Sequence, residues 1–135
     1  MEVTVAVIAQ DLQAHDNGTL NILGILTGLR VSAVPYEEPS MTLFLSFSAS
    51  PAEVGMEKRV EVHLLDADAN LMRKSWTTVT VPEPPRPGSR SDFNVGFPLR
   101  NVPFVKDGDY GFYIFVGGEE KRVVPFHISV EKGEE

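Results

Sequence analysis

The 135 residues contain no cysteine. That one absence removes disulfides, thiolate nucleophiles, Cys-ligated zinc and iron–sulfur clusters, and it fits a reducing compartment. Basic residues are also few: 12 Lys and Arg stand against 19 Asp and Glu, a net charge of −7. An acidic chain with no basic stripe is a poor match for a phosphate backbone, so no nucleic-acid partner is expected. Long apolar runs are missing as well. The longest nearly uncharged stretch, Gly18 to Gly28, is too short to span a bilayer, and no membrane partner is expected. The opening Met-Glu-Val-Thr-Val-Ala-Val-Ile-Ala begins with an acid, has no basic segment, and reads as a strand and not as a signal peptide. A cytoplasmic protein is the expectation.

Catalytic signatures are lacking too. There is no Gly-x-Ser-x-Gly, no Gly-x-Gly-x-x-Gly and no phosphate-binding loop. His15, His63 and His127 show no metal-ligand spacing. Asp66-x-Asp68-x-Asn70 begins like a calcium loop, but Leu71 stands where glycine is needed and Thr77 where glutamate is needed; an Asx-rich turn explains the same letters. No metal, no cofactor and no catalytic residue is expected, and the chain does not read as an enzyme.

What is present is β-strand pattern. The length suits one domain spanning residues 1–135, able to bury a core without a staple. The most informative stretch is Asp107 to Val116: a Lys-Asp-Gly-Asp turn feeds Tyr110-Gly-Phe-Tyr-Ile-Phe-Val116, and Gly117-Gly118 reverses the chain into Arg122–Val130. Gly-Gly between two β-type runs is a hairpin signal, because φ > 0 costs glycine nothing. Both faces of this strand are apolar, which predicts a central strand covered on both sides.

Elsewhere, Val3, Val5 and Val7 alternate with smaller residues, and Gln10 to Gly18 reads as a polar turn region. Thr19 to Val34, interrupted by Gly24 and Gly28, reads as two short strands or one bent one. Met41 to Phe47, Val60 to Leu64, Leu71 to Val81 and Phe93 to Phe97 are further strands, with Pro98 ending the last and a linker following. Pro35 and Pro39 frame an expected acidic loop. Pro82 to Ser91, dense in proline, excludes regular structure. Residues 131–135 read as a frayed acidic tail. The sum is an all-β, immunoglobulin-like antiparallel β-sandwich of about seven to nine strands.

The segment Lys106-Asp107-Gly108-Asp109-Tyr110-Gly111-Phe112 resembles the tyrosine corner of immunoglobulin-like sandwiches, in which a Gly-x-Tyr turns its hydroxyl back to the preceding loop. The cysteine expected two residues on is Phe112. Trp76 is a candidate core tryptophan, although late in the chain. Asn17 to Gly24, Pro35, Leu64-Leu65-Asp66-Ala67-Asp68, Gly108 to Phe112 and Pro125 to Val130 together resemble a family of short, uncharacterised bacterial proteins. That resemblance implies a β-sandwich and carries no activity.

Charge and aromatics nominate the surface. Residues 1–57 hold seven acids and one base, whereas 58–135 hold twelve acids and eleven bases. Arg86 and Arg90 in the Pro-rich loop, with its two Pro-x-x-Pro spacings, are candidates to meet an acidic surface such as Glu37-Glu38 on another copy. Tyr36, Phe44, Tyr113 and Phe115 are candidate exposed aromatics. The expected role is a non-catalytic binding or assembly module acting through protein–protein contacts, self-association included. The alternative is a carbohydrate-binding module that stacks sugar rings on those aromatics.

Overall fold

The computed structural model describes residues 1–17 and 19–131, and of the expected tail, 131–135, residues 132–135 lie outside them. Among the described residues nine strands form two packed sheets. They are β1 (Glu2–Ala14), β2 (Leu20–Leu26), β3 (Gly28–Val31), β4 (Tyr36–Ala49), β5 (Glu57–Asp66), β6 (Leu71–Thr80), β7 (Ser91–Phe104), β8 (Gly108–Val116) and β9 (Glu119–Val130). The four-stranded sheet has the order β2-β1-β4-β7, and the five-stranded sheet the order β3-β9-β8-β5-β6. The fold is an all-β sandwich.

Period-2 alternation builds the core. Ile8, Met41, Leu43, Leu45, Phe47, Phe97, Leu99 and Phe104 face inward from one sheet, and Val60, Val62, Leu64, Phe112, Ile114, Phe126 and Ile128 from the other. Phe126 stacks near Phe104 at 5.7 Å and meets Phe112 edge-on at 5.5 Å. Tyr110 packs edge-on against Phe104 at 5.0 Å, and its hydroxyl both accepts from the Lys106 amide at 3.2 Å and donates to the Lys106 carbonyl. The tyrosine corner is therefore present as geometry.

The Gly-Gly hairpin closes β8 onto β9, with φ of 59° and 84° at Gly117 and Gly118. Between Thr19 and Pro35 the chain makes two strands, β2 and β3, that lie in different sheets. Gly28 sits where they cross: a Cβ there would come within 2.3 Å of the His127 carbonyl oxygen, so only glycine permits β3 to lie against β9. That ladder is parallel, unlike every other pair, which corrects the wholly antiparallel expectation.

Three segments expected to be irregular are strand. Residues 10–14 continue β1, paired as far as Ala14 with Leu20. The expected Pro35–Ser40 loop is mostly the start of β4, with Tyr36, Glu37 and Glu38 opposite Phe104, Pro103 and Val102. Pro98 does not end β7, which continues to Phe104. The cause is position: β7 is an edge strand, where a missing N–H can face solvent and break no ladder. The loop 81–90 is irregular, as its prolines require. Asp66 holds the β5–β6 turn, its carboxylate accepting from the Asp68 and Asn70 amides at 2.9 and 2.8 Å, so its oxygens are engaged by its own Asx turn.

Candidate functional site: the open face of the five-stranded sheet

The two sheets differ on their outer sides. In the four-stranded sheet the outward residues of β4 and β7 include Phe44 and its ladder partner Gly96. Leu12, from the far half of β1, lies over Gly96; a Cβ on that glycine would stand 2.9 Å from the Leu12 methyl. Past Ala9 the strand leaves β4 and pairs with β2 alone. The β1–β2 arm therefore folds across this face. Phe44 is left 6% exposed, which corrects its expected place on the surface.

The five-stranded sheet has no such roof. Register places Trp76 (β6), Glu61 (β5) and Phe115 (β8) in one row, and Lys74, His63, Tyr113 and Val123 in the next. Trp76 is 56% exposed, so it is a surface residue and not the core tryptophan. The Arg59 guanidinium lies 4.1 Å from the centre of its ring, a cation–π contact. His63 and Phe115 rings are 4.4 Å apart. The Tyr113 ring lies back on Gly111, where a Cβ would come within 2.8 Å of its Cε1. Tyr113 and Phe115 are half-buried, so β8 is central as expected but its outer side is not covered by another layer.

Glu61 sits among these rings. Its Oε1 lies 3.3 Å from Lys74 Nζ, 3.8 Å from His63 Nε2 and 3.9 Å from an Arg59 nitrogen. The hydrogen bond from Lys74, with the charges of Lys74 and Arg59, holds its carboxyl below the ordinary glutamate value. His63 Nε2 is buried without a hydrogen-bond partner. This face thus combines flat apolar rings with one carboxylate fixed between cations, a pattern suited to recognition.

The remaining nominated residues are scattered. Tyr36 donates its hydroxyl to Glu38 at 2.7 Å, and Glu37 is exposed beside them, at the Phe104 end of β4. Arg90 is tied to Ser48, its Nε at 2.9 Å from the hydroxyl, and Arg86 is exposed in the loop at the other end. Along the 14-residue β4 the two groups are roughly 40 Å apart. Of the eight, the structure groups Tyr36 with Glu37 and Glu38 at one end of β4, keeps the two groups of the proposed charge contact apart, and groups Tyr113 with Phe115 on β8. Arg59, Glu61, His63 and Trp76 complete their face, and sequence reasoning missed them as a group. The available signal was alternation: in both β5 and β6 the residues out of phase with the core valines include charged or aromatic ones.

Two clefts lie along the sides of the sandwich. One, of about 380 Å³, is lined by Val7, Ile25, Leu26, Val124 and Phe126, with Asp109 and His127 paired at 2.7 Å on its wall. The other, of about 500 Å³, runs between β6 and β7. Among the described residues no group of three His, Asp or Glu converges to hold a metal ion, and no described helix is long and apolar enough to cross a membrane.

A family model described as "Family of unknown function (DUF6941)" matches residues 4–129. Among curated proteins none matches. The chain is similar in structure to a Pseudomonas fluorescens alkylpurine DNA glycosylase, AlkC, bound to DNA containing an abasic site analog. The TM-score is 0.46 at 9% identity, covering 93% of this chain and 30% of that one. It is also similar to a beta-glucuronidase from glycoside hydrolase family 2, with a TM-score of 0.34 at 12% identity, covering 76% of this chain and 11% of that one. The chain thus spans less than a third of either protein, and neither likeness carries a functional argument.

Proposed function

The chain belongs to DUF6941, a family of unknown function, so its role has to be read from its own surface, and we propose that it is a non-catalytic module that binds or assembles through protein–protein contacts. The observation that carries this reading is the unroofed aromatic face of β6, β5 and β8, with Trp76, Phe115, Tyr113 and His63 around Glu61. Rings that are exposed or half-buried around a carboxylate held by Lys74 and Arg59 give this face both apolar area and a fixed charge for a protein partner to meet. On the absence of cysteine, we place the module in the cytoplasm.

A second reading is carbohydrate binding, favoured by the exposure of Trp76 beside the polar groups of Glu61 and Lys74. Trp76 is the sole tryptophan, and its emission separates the two. A concentration series is followed by light scattering and by Trp76 emission, with Tyr113→Ala and Phe115→Ala as variants. Under the protein reading, emission shifts to the blue as mass rises or as a protein partner is added, and both variants weaken the shift. A shift with soluble glycans at constant monomer mass would replace it with the sugar reading.

A further inference from the structure

A sheet edge is a row of unpaired N–H and C=O groups, and folded proteins blunt their edges. This sandwich has four, and three are blunted. β2 is interrupted at Gly24, whose φ is +65° and which falls in a gap in the β1 ladder. β3 has four residues. β7 carries Pro98 and Pro103, each without an N–H to offer. β6 is different in its backbone: ten residues from Leu71 to Thr80 with no proline and no glycine, its two charges, Arg73 and Lys74, side by side toward its start and away from the Thr77–Thr80 half. Its register with β5 is unbroken from Glu57–Thr80 to Leu64–Arg73. Only an extended strand can satisfy such a row, and the open cleft between β6 and β7 leaves room beside it.

We propose that β6 pairs antiparallel with β6 of a second copy of this chain, joining two five-stranded sheets into one. This deepens, and rests on, the reading of the chain as a protein-binding module. Charge selects the occupant and the register. A two-fold axis through Thr77 sets Thr77 against itself, Trp76 against Thr78, Ser75 against Val79 and Lys74 against Thr80. Thr80 neighbours Glu57 in the β5–β6 ladder, so Lys74 points toward the copy's Glu57. An axis through Trp76 would instead set Lys74 against Thr78, whose ladder neighbour is Arg59, and like charges would meet. The Thr77 register pairs outward residues with outward ones, so the two aromatic faces run on as one surface. Hydroxyls and β-branched residues meet across the axis, a favourable set of cross-strand neighbours.

The chain's lack of cysteine makes the register testable. Residues directly opposite in an antiparallel pair have Cα atoms about 4.5–5.5 Å apart, within disulfide range. Thr77→Cys, mildly oxidised, is expected to give a covalent dimer, and Thr80→Cys on the same edge is not. Light scattering on the wild-type chain is expected to give twice 14.9 kDa. Thr78→Lys, at an exposed edge position, is expected to halve that mass while the far-UV circular dichroism of the folded chain is kept, the thermal midpoint losing only its dependence on concentration. Equal cross-linking of the two cysteine variants, or a mass of 14.9 kDa for wild type, would overturn the proposal. A dimer that survives Thr78→Lys and falls apart with Phe115→Ala would also overturn it while leaving the protein-binding reading in place. A Trp76 emission that answers only to glycans would remove that reading itself.

Discussion

Both sheets carry an aromatic residue on the outer side of a central strand, Phe44 on β4 and Phe115 on β8, yet one is buried and the other half-open. The difference lies in the neighbouring hairpins. β1 runs from Ala9, its last partner on β4, on to Ala14, and β2 returns with it. That surplus length folds back, with Leu12, Leu20 and Ile22 partly buried and Asp11, Gln13 and Asn21 exposed. The β8–β9 hairpin turns at Gly117-Gly118, at the end of the sheet, and has no spare length to form a roof. A sheet face is thus committed to packing or left for recognition by a few residues of hairpin length. The open face is the one with a tryptophan, a fixed carboxylate and three cationic or titratable partners.

The sharpest way to break this comparison is to truncate both rings. Phe44→Ala removes a side chain packed under the arm and is expected to cost about 3 kcal/mol, the range for buried phenylalanine. Phe115→Ala is expected to cost about 1 kcal/mol, since its outer side already meets water. Urea midpoints at constant slope measure both. Equal losses would mean that the outer face of β8 is packed as tightly as that of β4.

Next in size is a carboxylate in the short turn between β4 and β5. Glu53 accepts from the Ser50 amide and lies at 3.0 and 3.1 Å from the Met1 ammonium and Lys58. The Ser50 hydrogen bond, then those from the ammonium and Lys58, pull its pKa from 4.5 to about 2. Because the folded value is depressed, the stabilisation is complete above the unfolded value of about 4.5 and is lost as pH falls toward about 2. Glu53→Gln is expected to cost about 2 kcal/mol at neutral pH and little at the acid end of that window. A loss that stays constant across the window would contradict this ion cluster. Glu61 on the open face has Lys74, Arg59 and His63 beside it and a lowered pKa, but its cations Lys74 and Arg59 are themselves half exposed, and Glu61→Gln is expected to change stability less than Glu53→Gln.

Smaller again is the roof itself. Leu12→Ala is expected to cost about 1 kcal/mol, a half-buried leucine losing part of its burial. It is also expected to speed amide exchange in β4 around Phe44 while leaving β8 unaltered. Faster exchange on β8 would mean that the arm supports the whole sandwich and not one face.

The sequence made the β8–β9 hairpin, the tyrosine corner, the split at Gly24 and Gly28 and the all-β class readable, because each depends on local φ/ψ demands or on period 2. It hid the edge position of β7. Pro98 reads as a strand terminator wherever the strand's neighbours are unknown, and only sheet order shows that its missing N–H costs nothing. It hid the open face for the same reason. Arg59, Glu61, His63, Lys74 and Trp76 lie on two strands, and cross-strand register, not spacing along the chain, makes them neighbours. It also placed Phe44 and Phe115 alike, because the alternation of β4 does not report that Leu12 comes to lie over Gly96.

A small expected change in stability comes from the largest exposed ring. Trp76 sits on an edge strand, 56% exposed, with the Arg59 guanidinium over its ring. An exposed cation–π contact contributes about 0.5–1 kcal/mol. A β6 without the ring keeps its full ladder to β5. Trp76→Ala is therefore expected to lower stability by about 0.5 kcal/mol while reducing the solution mass measured by light scattering. A protein spends no fold stability on keeping such a ring in water, so a change in association without a change in stability would place its value in the contacts it makes with another chain. A stability loss as large as that of Phe44→Ala would instead make Trp76 a packing residue, and the distinction between the two outer faces would disappear.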